Sequence, residues 1–258
     1  MSSKEGEAKA KAALFEALNS QGRQYEAMAL SSTLGDFWKD RKKDLSVIPE
    51  LVRRLEAKML PVPGTKILLS KTEFTVGEWK LYLKAEGLPD WKQPSKDFEQ
   101  NDEHPIVMLN WHDVKKFCEW LSKATGKEWR LPTNSEWEAA VGTSKYPWGD
   151  YYPPNWDDGN YAVAEDGKGD LAQVGVDGIK GTAPVGSFKA SVLGFYDLGG
   201  NVSEWMWDGL DEKTGKRVIR GGYWNSHAEY CTVASATTTF RGTAAATAGF
   251  RVALSSVP

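Results

Sequence analysis

Arg220-Gly221-Gly222-Tyr223-Trp224 opens the stretch around which the chain is organised, and Gly249-Phe250-Arg251 closes it. Between them, residues 225–248 are mostly Thr, Ala and Ser, and only Glu229 and Arg241 are charged, in a chain that is 26% charged overall. No Leu, Ile or Met is present to build a core, and no apolar period of 2 or 3.6 residues persists. The two flanks have the composition of strands that enter an aromatic core. The sequence therefore predicts a rigid scaffold that displays small and aromatic side chains.

Length, charge and cysteine content exclude several classes of protein. At 258 residues, the chain is long enough for one large domain or for a domain with an appendage. A net charge of −3 leaves no electrostatic footprint for nucleic acid or anionic lipid. Cys118 and Cys231 form neither a disulfide framework nor a zinc motif. No apolar run reaches the length of a membrane span, and the N-terminus is too polar for a signal peptide. A cytoplasmic protein and a chain without its export signal both stay open.

Residues 1–60 are predicted to be a helical appendage, because apolar residues recur at helical spacing in three segments. Leu60-Pro61-Val62-Pro63-Gly64 marks the predicted boundary, since two prolines and a glycine do not continue a helix. The appendage packs on the main domain in the simpler interpretation. A spacer or partner-docking bundle is the alternative.

The region after residue 64 has three well-marked helices followed by a long irregular stretch. Trp79, Tyr82 and Leu83 lie on the first helix, and the second spans about 112–124, with Cys118 as a small buried hydrophobe. Thr133 and Glu136 have capping-box spacing and start the third. From 146 to 200 Gly, Pro, Asp and Trp dominate without a period. Buried carboxylates and carbonyls around a hard cation would organise such a stretch.

Several motifs occur here in the order of a known family. They are His104-Pro105-Ile-Val, Arg130-Leu131-Pro132-Thr-x-x-Glu136-Trp137-Glu138, Tyr146-Pro147-Trp148-Gly149, Gly181-Thr-Ala-Pro184-Val185, Gly200-Asn201-Val202-x-Glu204-Trp205, Arg220-Gly221-Gly222 and Gly249-Phe250-Arg251. Together they resemble the formylglycine-generating enzyme (sulfatase-modifying factor) family over about residues 64–254. The resemblance implies an α+β, C-type-lectin-like fold with short sheets and long loops, in a domain of residues 64–258. The ligand-binding region would lie at about 220–251.

The resemblance also implies calcium at two sites. The first site would use the side chains of Asn160 and Asp177 and the carbonyls of Tyr161 and Ile179. The second would use the side chains of Asp197 and Glu204 and the carbonyls of Gly200 and Val202. Both sets supply hard oxygen ligands. In the alternative interpretation these acids only cap turns and accept hydrogen bonds from backbone N–H groups.

Two catalytic branches of the superfamily fit the sequence poorly. The oxidases are implied to use a pair of thiols, and a soft metal or thiol exchange requires both sulfurs. Here Cys231 matches the second position, Ser226 occupies the first, and Tyr223 replaces a nearby serine. The resemblance therefore implies a protein without catalytic residues or redox cofactor, with Cys231 as a packed structural residue. A three-histidine iron branch is not supported by His104, His112 and His227.

The sequence fits best a third branch, the variable proteins of diversity-generating retroelements, including lipid-anchored surface proteins of spirochaetes. Their C-terminal face is implied to carry residues encodable by NNC codons, a set without Lys, Glu, Gln, Met and Trp. Between Asn225 and Ala248 only Glu229 falls outside that set. The candidate ligand-binding residues are Tyr223, Asn225, Ser226, His227, Tyr230, Ser235, Thr237, Thr239, Phe240, Arg241, Thr243, Ala245 and Thr247.

The function expected from this resemblance is display of a ligand-binding face at the cell surface by a monomeric protein. The partner would be a protein or another cell-surface ligand, and random side chains do not encode its identity. The rival hypothesis is an inactive or altered family member with a structural or adaptor role. An adenine-rich near-copy of the codons for 220–251 beside a reverse-transcriptase gene would favour the retroelement.

Overall fold

The computed structural model describes residues 42–91, 98–162, 179–209 and 213–255, together with Lys11, Ala13 and Leu14, which are helical. Most of the predicted helices in the first forty residues lie outside the described residues. The division into an appendage of 1–60 and a domain of 64–258 therefore stays a prediction for that part of the chain.

From residue 42 onward, the described ranges contain four α-helices, eight strands and two 3-10 turns. The helices are α1 Ile48–Glu56, α2 Val76–Glu86, α3 Trp111–Thr125 and α4 Asn134–Val141. The strands are β1 Met59–Pro61, β2 Ile67–Ser70, β3 Trp129–Arg130, β4 Ser203–Trp205, β5 Lys216–Arg220, β6 Thr237–Phe240, β7 Ala248–Gly249 and β8 Ala253–Ser255. The 3-10 turns are Leu45–Val47 and Ala228–Tyr230. None of the described helices has both the length and the apolar character needed to cross a bilayer.

Local capping signals set the helix boundaries, as the sequence predicts. Asn110 forms a capping box with Asp113 at the start of α3, and Gly126 ends the helix with a φ of 69°. Thr133 and Glu136 form the predicted capping box at the start of α4. Arg130 then clamps Glu136 in an ion pair of 2.7 Å. The predicted helix end at Gly126 and the predicted capping box of Thr133 and Glu136 are confirmed.

One four-stranded sheet has the order β1-β2-β8-β3, and all its pairings are antiparallel. The last strand therefore lies in the middle of the sheet, next to the first strands of the domain. Helix α1 packs on the same core through Leu51 and Leu55, which have no exposed surface. The predicted boundary at 60–64 thus runs through packed structure, because β1 pairs with β2 across it.

The second sheet has the order β6-β5-β4-β7, and β4 pairs parallel to β7. Its other pairs are antiparallel. Strands β6 and β7 come from the Thr- and Ala-rich segment, so both ends of the sheet are formed by residues that carry little apolar surface. The segment is held because its backbone completes this sheet.

An aromatic core receives the closing Gly-Phe-Arg motif. Phe250 stacks on Phe74 with ring centroids 4.8 Å apart, and Trp79 and Phe117 pack around this pair. All four side chains are almost fully buried. The adjoining Arg251 is also buried, and its guanidinium donates to Glu204 Oε1 at 2.5 Å and to Oε2 at 2.7 Å.

Arg251 ties distant parts of the chain together. Its remaining donors reach the carbonyls of Ser70 (3.1 Å) and Tyr196 (3.0 Å). Glu204 also accepts from the indole N–H of Trp137 at 3.1 Å. A buried ion pair with this many additional hydrogen bonds is costly to break on one side, because the remaining charge stays buried without its partner.

We predict that Arg251→Met lowers the free energy of unfolding by about 3–5 kcal/mol, because it leaves the Glu204 carboxylate buried without a counter-charge. Urea denaturation followed by tryptophan fluorescence measures the loss. The matched control is Arg53→Met, which removes an exposed ion pair with Glu50 on α1 and should leave stability nearly unchanged. Equal effects of the two substitutions would contradict the role assigned to Arg251.

Candidate functional site

The buried Arg220 holds the first half of the Thr- and Ala-rich segment by its main chain. Its guanidinium donates to the carbonyls of Val233 (2.8 Å) and Ser235 (2.7 Å), and it forms an ion pair with Glu138. The guanidinium also lies over the Trp137 ring, 5.3 Å from its centroid. One frame residue therefore positions the loop that follows Cys231 without contacting the displayed side chains.

The start of the segment is fixed in the same way. Trp224 N–H donates to the Asn201 carbonyl at 3.0 Å, and Ala162 N–H donates to the Ser226 carbonyl at 3.0 Å. Val233 N–H donates to the Lys145 carbonyl at 2.9 Å. Each bond uses a backbone group of the segment, so a change of its side chain leaves the bond intact.

Backbone bonds also fix the second half. Arg241 N–H donates to the Gly215 carbonyl at 3.0 Å, and its own carbonyl accepts from Trp111 N–H at 3.1 Å. The carbonyl of Ala245 accepts from Met108 N–H at 3.0 Å, and that of Thr247 accepts from Ser203 N–H at 2.8 Å. The segment from 224 to 247 is therefore anchored along its whole length.

The side chains of the same segment point mostly outward. Every candidate ligand-binding residue predicted from the sequence is partly or fully exposed. Between 226 and 247 only Ala228 and Cys231 are buried. Tyr230 is 66% exposed and Phe240 is 59% exposed. We call this surface, formed by the exposed side chains of 223–247, the displayed face. The exposure on which the display hypothesis depends is therefore present.

The displayed face has an aromatic neighbour that the sequence did not predict, Tyr152, in a loop with other exposed aromatic residues. Trp156 is 68% exposed, and Tyr151 and Tyr152 of the same loop are also exposed. Tyr152 lies near Glu229 and Tyr230. Partial burial is the main cause that raises the pKa of Tyr152, and the nearby acidic groups raise it further. The sequence does carry a signal for this loop. Aromatic residues adjoin prolines in Tyr146-Pro147-Trp148 and Tyr152-Pro153-Pro154, a pattern typical of a stiff aromatic loop.

Ser226 and Cys231 lie side by side against Gly222. A Cβ placed on Gly222 would lie 2.5 Å from Cys231 Sγ and 3.4 Å from Ser226 Oγ. The positive φ of 75° at Gly222 permits this close approach. Ser226 Oγ accepts from Tyr223 N–H at 3.0 Å. The two positions assigned by the resemblance to a thiol pair are thus adjacent in space, with one hydroxyl and one thiol.

The Cys231 thiol is buried and held in its protonated form. It is 1% exposed, and burial raises its pKa to about 12. A thiol reacts as its thiolate, so a buried thiol of this pKa is inert near neutral pH. Cys118 lies in the α3 core with its pKa raised to about 12 by burial. The prediction that both cysteines are packed hydrophobes is confirmed.

The residues of the first candidate calcium site fit a cation in part. Asn160 is fully buried, its amide nitrogen donates to the Gly181 carbonyl at 2.9 Å, and its Oδ1 has no hydrogen-bond partner among the described residues. The neighbouring Tyr161 is also buried. Asp177 lies outside the described residues, and Ile179 begins the next described range. A buried amide oxygen without a partner is the group that a hard cation would satisfy.

At the second candidate site, protein groups already bind most of the carboxylate oxygens. Both Glu204 oxygens accept from Arg251. Asp197 Oδ2 accepts from Gly186 N–H at 2.6 Å, while Oδ1 has no partner in the described ranges. Burial raises the pKa of Asp197 to about 6. The nearby Gly200 and Val202 are buried in the same turn. This set therefore fits a cation less well than the first.

The structure does not bring the three histidines together at this face. His104 contacts Asn101 at 2.9 Å, His112 lies at the start of α3 beside Trp111, and His227 packs edge-on against Tyr230. Among the described residues, no three His, Cys, Asp or Glu side chains are arranged to hold a metal.

Two small sheets, long loops and a backbone-anchored C-terminal face define a C-type-lectin-like domain of the formylglycine-generating type. The Sulfatase-modifying factor enzyme 1-like domain matches residues 55–256, and the chain belongs to that family. It is 31% identical over 171 residues to the formylglycine-generating enzyme of Mus musculus, covering 59% of this chain and 44% of the relative. It is 37% identical over 145 residues to the inactive C-alpha-formylglycine-generating enzyme 2 of Bos taurus, covering 52% and 44%.

The chain therefore spans less than half the length of these two relatives. Because one of them is named as an enzyme and the other as inactive, family membership does not decide activity. A solved structure, Treponema denticola variable protein 1, shares the fold with a TM-score of 0.59 at 22% identity, covering 73% of this chain and 84% of that one.

We predict that both thiols of the native protein are modified about a thousandfold more slowly at pH 8 than those of the unfolded chain, because burial suppresses the thiolate. Reaction with iodoacetamide, located by peptide mass spectrometry with and without urea, measures the ratio. Cys118 is the internal control, since it is buried with a similarly raised pKa. Rapid native modification at Cys231 with Cys118 protected would indicate an active thiol.

Proposed function

We propose that this chain is a non-catalytic ligand-binding protein that displays exchangeable side chains on the face formed by residues 223–247. The observation that supports this proposal is that the backbone and the side chains of that segment have different roles. Its backbone is hydrogen-bonded to the frame from Trp224 to Thr247, while its candidate binding side chains are partly or fully exposed. Such a surface is preorganised, so binding a partner costs little ordering entropy.

The composition of the displayed face suits recognition of a protein or another cell-surface ligand. Tyr223, Tyr230, His227 and Phe240 offer aromatic surface, and the Ser and Thr residues offer adaptable hydrogen bonds. Antibody loops combine the same two kinds of side chain. Tyr152, which lies near Glu229 and Tyr230, extends this surface beyond the segment itself.

Diversification by a retroelement is the origin that we propose for this face. The support is the composition between Asn225 and Ala248, in which every residue except Glu229 is NNC-encodable, together with the partial or full exposure of the candidate side chains. The shared fold with Treponema denticola variable protein 1 is compatible with that origin. A surface location, with a lipid anchor in the full-length protein, belongs to the same proposal.

Absence of catalysis rests on the pair of positions next to Gly222. Ser226 supplies a hydroxyl, which does not replace a thiolate as a soft ligand or as a partner in thiol exchange. Cys231 supplies a protonated, buried thiol. An inactive adaptor with the same residues is the rival proposal, and it requires no tolerance of substitutions on the displayed face.

Calcium is proposed as a structural ion, held at the first site by Asn160 and Asp177 with the carbonyls of Tyr161 and Ile179. The partnerless Oδ1 of Asn160 supports this set. When bound, the ion would supply positive charge to a loop region rich in acidic residues. Asn160 would then fix the backbone that pairs with residues 226–227.

We expect that replacing exposed residues of the displayed face leaves the fold intact. Tyr230→Ser, Thr237→Tyr, Phe240→Asn and Thr243→His should each change the free energy of unfolding by less than about 0.5 kcal/mol, because these side chains leave no cavity or unpaired buried group. The contrasting control is Gly222→Ala, which forces a Cβ towards Cys231 Sγ at positive φ and should cost at least about 1 kcal/mol. Chemical denaturation compares the variants, and large losses in the face variants would overturn the display proposal.

An activity assay separates the display protein from an oxidase. The full chain, incubated with a cysteine-containing sulfatase-motif peptide, oxygen and either copper or reducing agent, should leave the peptide cysteine unchanged by mass spectrometry. The reason is that Ser226 replaces the first thiol of the pair. Turnover of the peptide above a protein-free blank would show that the chain is an enzyme.

A further inference from the structure

Cationic side chains lie on both faces of the sheet next to the edge strand β6. Lys216 and Arg217 are successive residues of β5, so their side chains point to opposite faces of the sheet. On one face the Lys216 ammonium lies over Phe240, 5.3 Å from the ring centroid. On the other face Arg217 lies over Trp111, 4.4 Å from its centroid, and Arg241 lies close by, bonded through its carbonyl to Trp111 N–H.

The cations around Trp111 extend onto α3. His112 is exposed there, and its pKa is lowered by partial burial and then by Arg241, Lys116 and Arg217. We call the set Lys116, Lys216 and Arg241 the basic flanks of β6.

The basic flanks are not neutralised by their surroundings. Within the described ranges, none of the three has an ion pair within 4.0 Å, whereas their neighbour Lys115 pairs with Glu119 at 2.5 Å. The nearest acid on α3 is Asp113, which is occupied in the capping box with Asn110. An anionic partner would therefore meet positive charge that is not already compensated.

Strand β6 also has an open backbone edge. It is the end strand of the order β6-β5-β4-β7. Arg241 and Gly215 form a hydrogen-bonded position of the antiparallel ladder, since Arg241 N–H donates to the Gly215 carbonyl. Thr238 and Phe240, paired with Val218 and Lys216, then occupy the alternate positions, where N–H groups point away from β5. Neither N–H has a backbone partner among the described loops, whereas the Phe240 carbonyl already accepts from Thr243 N–H at 2.8 Å.

The rest of the chain disfavours a long polyanion. The net charge is −3 at pH 7, so the basic flanks are a local feature of an acidic protein. A long nucleic acid or sulfated chain that reached these few cations would also cross repulsive surface. A short extended peptide fits better, since its alternate side chains reach the two faces of the strand and its backbone pairs with the open edge.

We propose that the partner recognised by the displayed face includes an extended acidic peptide segment, which adds to the edge of β6 and places carboxylates on the basic flanks. This inference rests on the proposed display function and specifies one partner class for it. Peptide N–H and C=O groups supply affinity along β6, and the carboxylates at alternate positions supply selectivity.

Selection from a phage-displayed library of random twelve-residue peptides on the immobilised full chain tests the proposal. Enriched peptides are expected to carry Asp or Glu at alternate positions among β-branched residues. The leading sequence, synthesised with fluorescein, then gives affinities by fluorescence anisotropy. Arg241→Glu and Lys216→Glu should each weaken binding about tenfold or more through charge repulsion.

Two further variants distinguish binding to the open backbone edge of β6 from attraction by positive charge on the basic flanks. Thr238→Pro removes an outward N–H at a position where an edge strand tolerates proline, and it should also weaken binding about tenfold. Lys123→Glu makes the same charge change at the opposite end of α3, where the lysine is exposed, and should leave affinity unchanged. Circular dichroism confirms that each variant remains folded.

Several results would overturn this inference. They are a lack of enriched peptides, enrichment without acidic residues, affinity that survives Arg241→Glu and Lys216→Glu, or binding of heparin in place of peptides. A peptide that binds through Tyr230 and not through β6 would reject the acidic-edge proposal while the display function stands. Peptide oxidation in the activity assay would instead reject the display function itself.

Discussion

Main-chain hydrogen bonds between residues 224–247 and the surrounding frame are the constraint on which the rest of the structure depends. A segment without large apolar residues has little hydrophobic energy of its own with which to hold one conformation. Here carbonyls and amides of the segment bond to Asn201, Lys145, Gly215 and Met108. Because these bonds do not involve side chains, a displayed residue can be replaced by another without moving the backbone of the segment.

Arg220 and Arg251, which flank the segment, stabilise this arrangement in different ways. Arg220 bonds directly to the carbonyls of Val233 and Ser235, so it acts on the segment itself. Arg251 joins β4 to the end of β2 through Glu204 and Ser70, so it acts on the frame. The buried charges are costly to desolvate, and only the full set of partners offsets that cost. Gly222, which follows Arg220 by two residues, lets the backbone pass close to Cys231 and Ser226.

Local signals in the sequence were sufficient for the helices and for the character of the displayed face. Capping residues predicted the start of α4 at Thr133, and the absence of large apolar residues between Asn225 and Ala248 indicated exposure. The resemblance supplied the fold, which no periodicity indicated. Long-range pairing was not readable: β1 lies across the predicted boundary, and Glu204, interpreted as a calcium ligand, is bound by Arg251 from 47 residues away. Lys216 and Tyr152 gained a role only when the fold placed them beside the face.

Amide hydrogen exchange tests the central claim most directly, because it reports on the backbone bonds themselves. The comparison is between the parent chain and a variant in which the exposed residues Tyr230, Thr237, Phe240 and Thr243 are all replaced. Protection at the amides of Trp224, Val233 and Arg241 should be the same in both proteins. Loss of that protection in the variant would show that the displayed side chains, and not the frame, hold the segment in place.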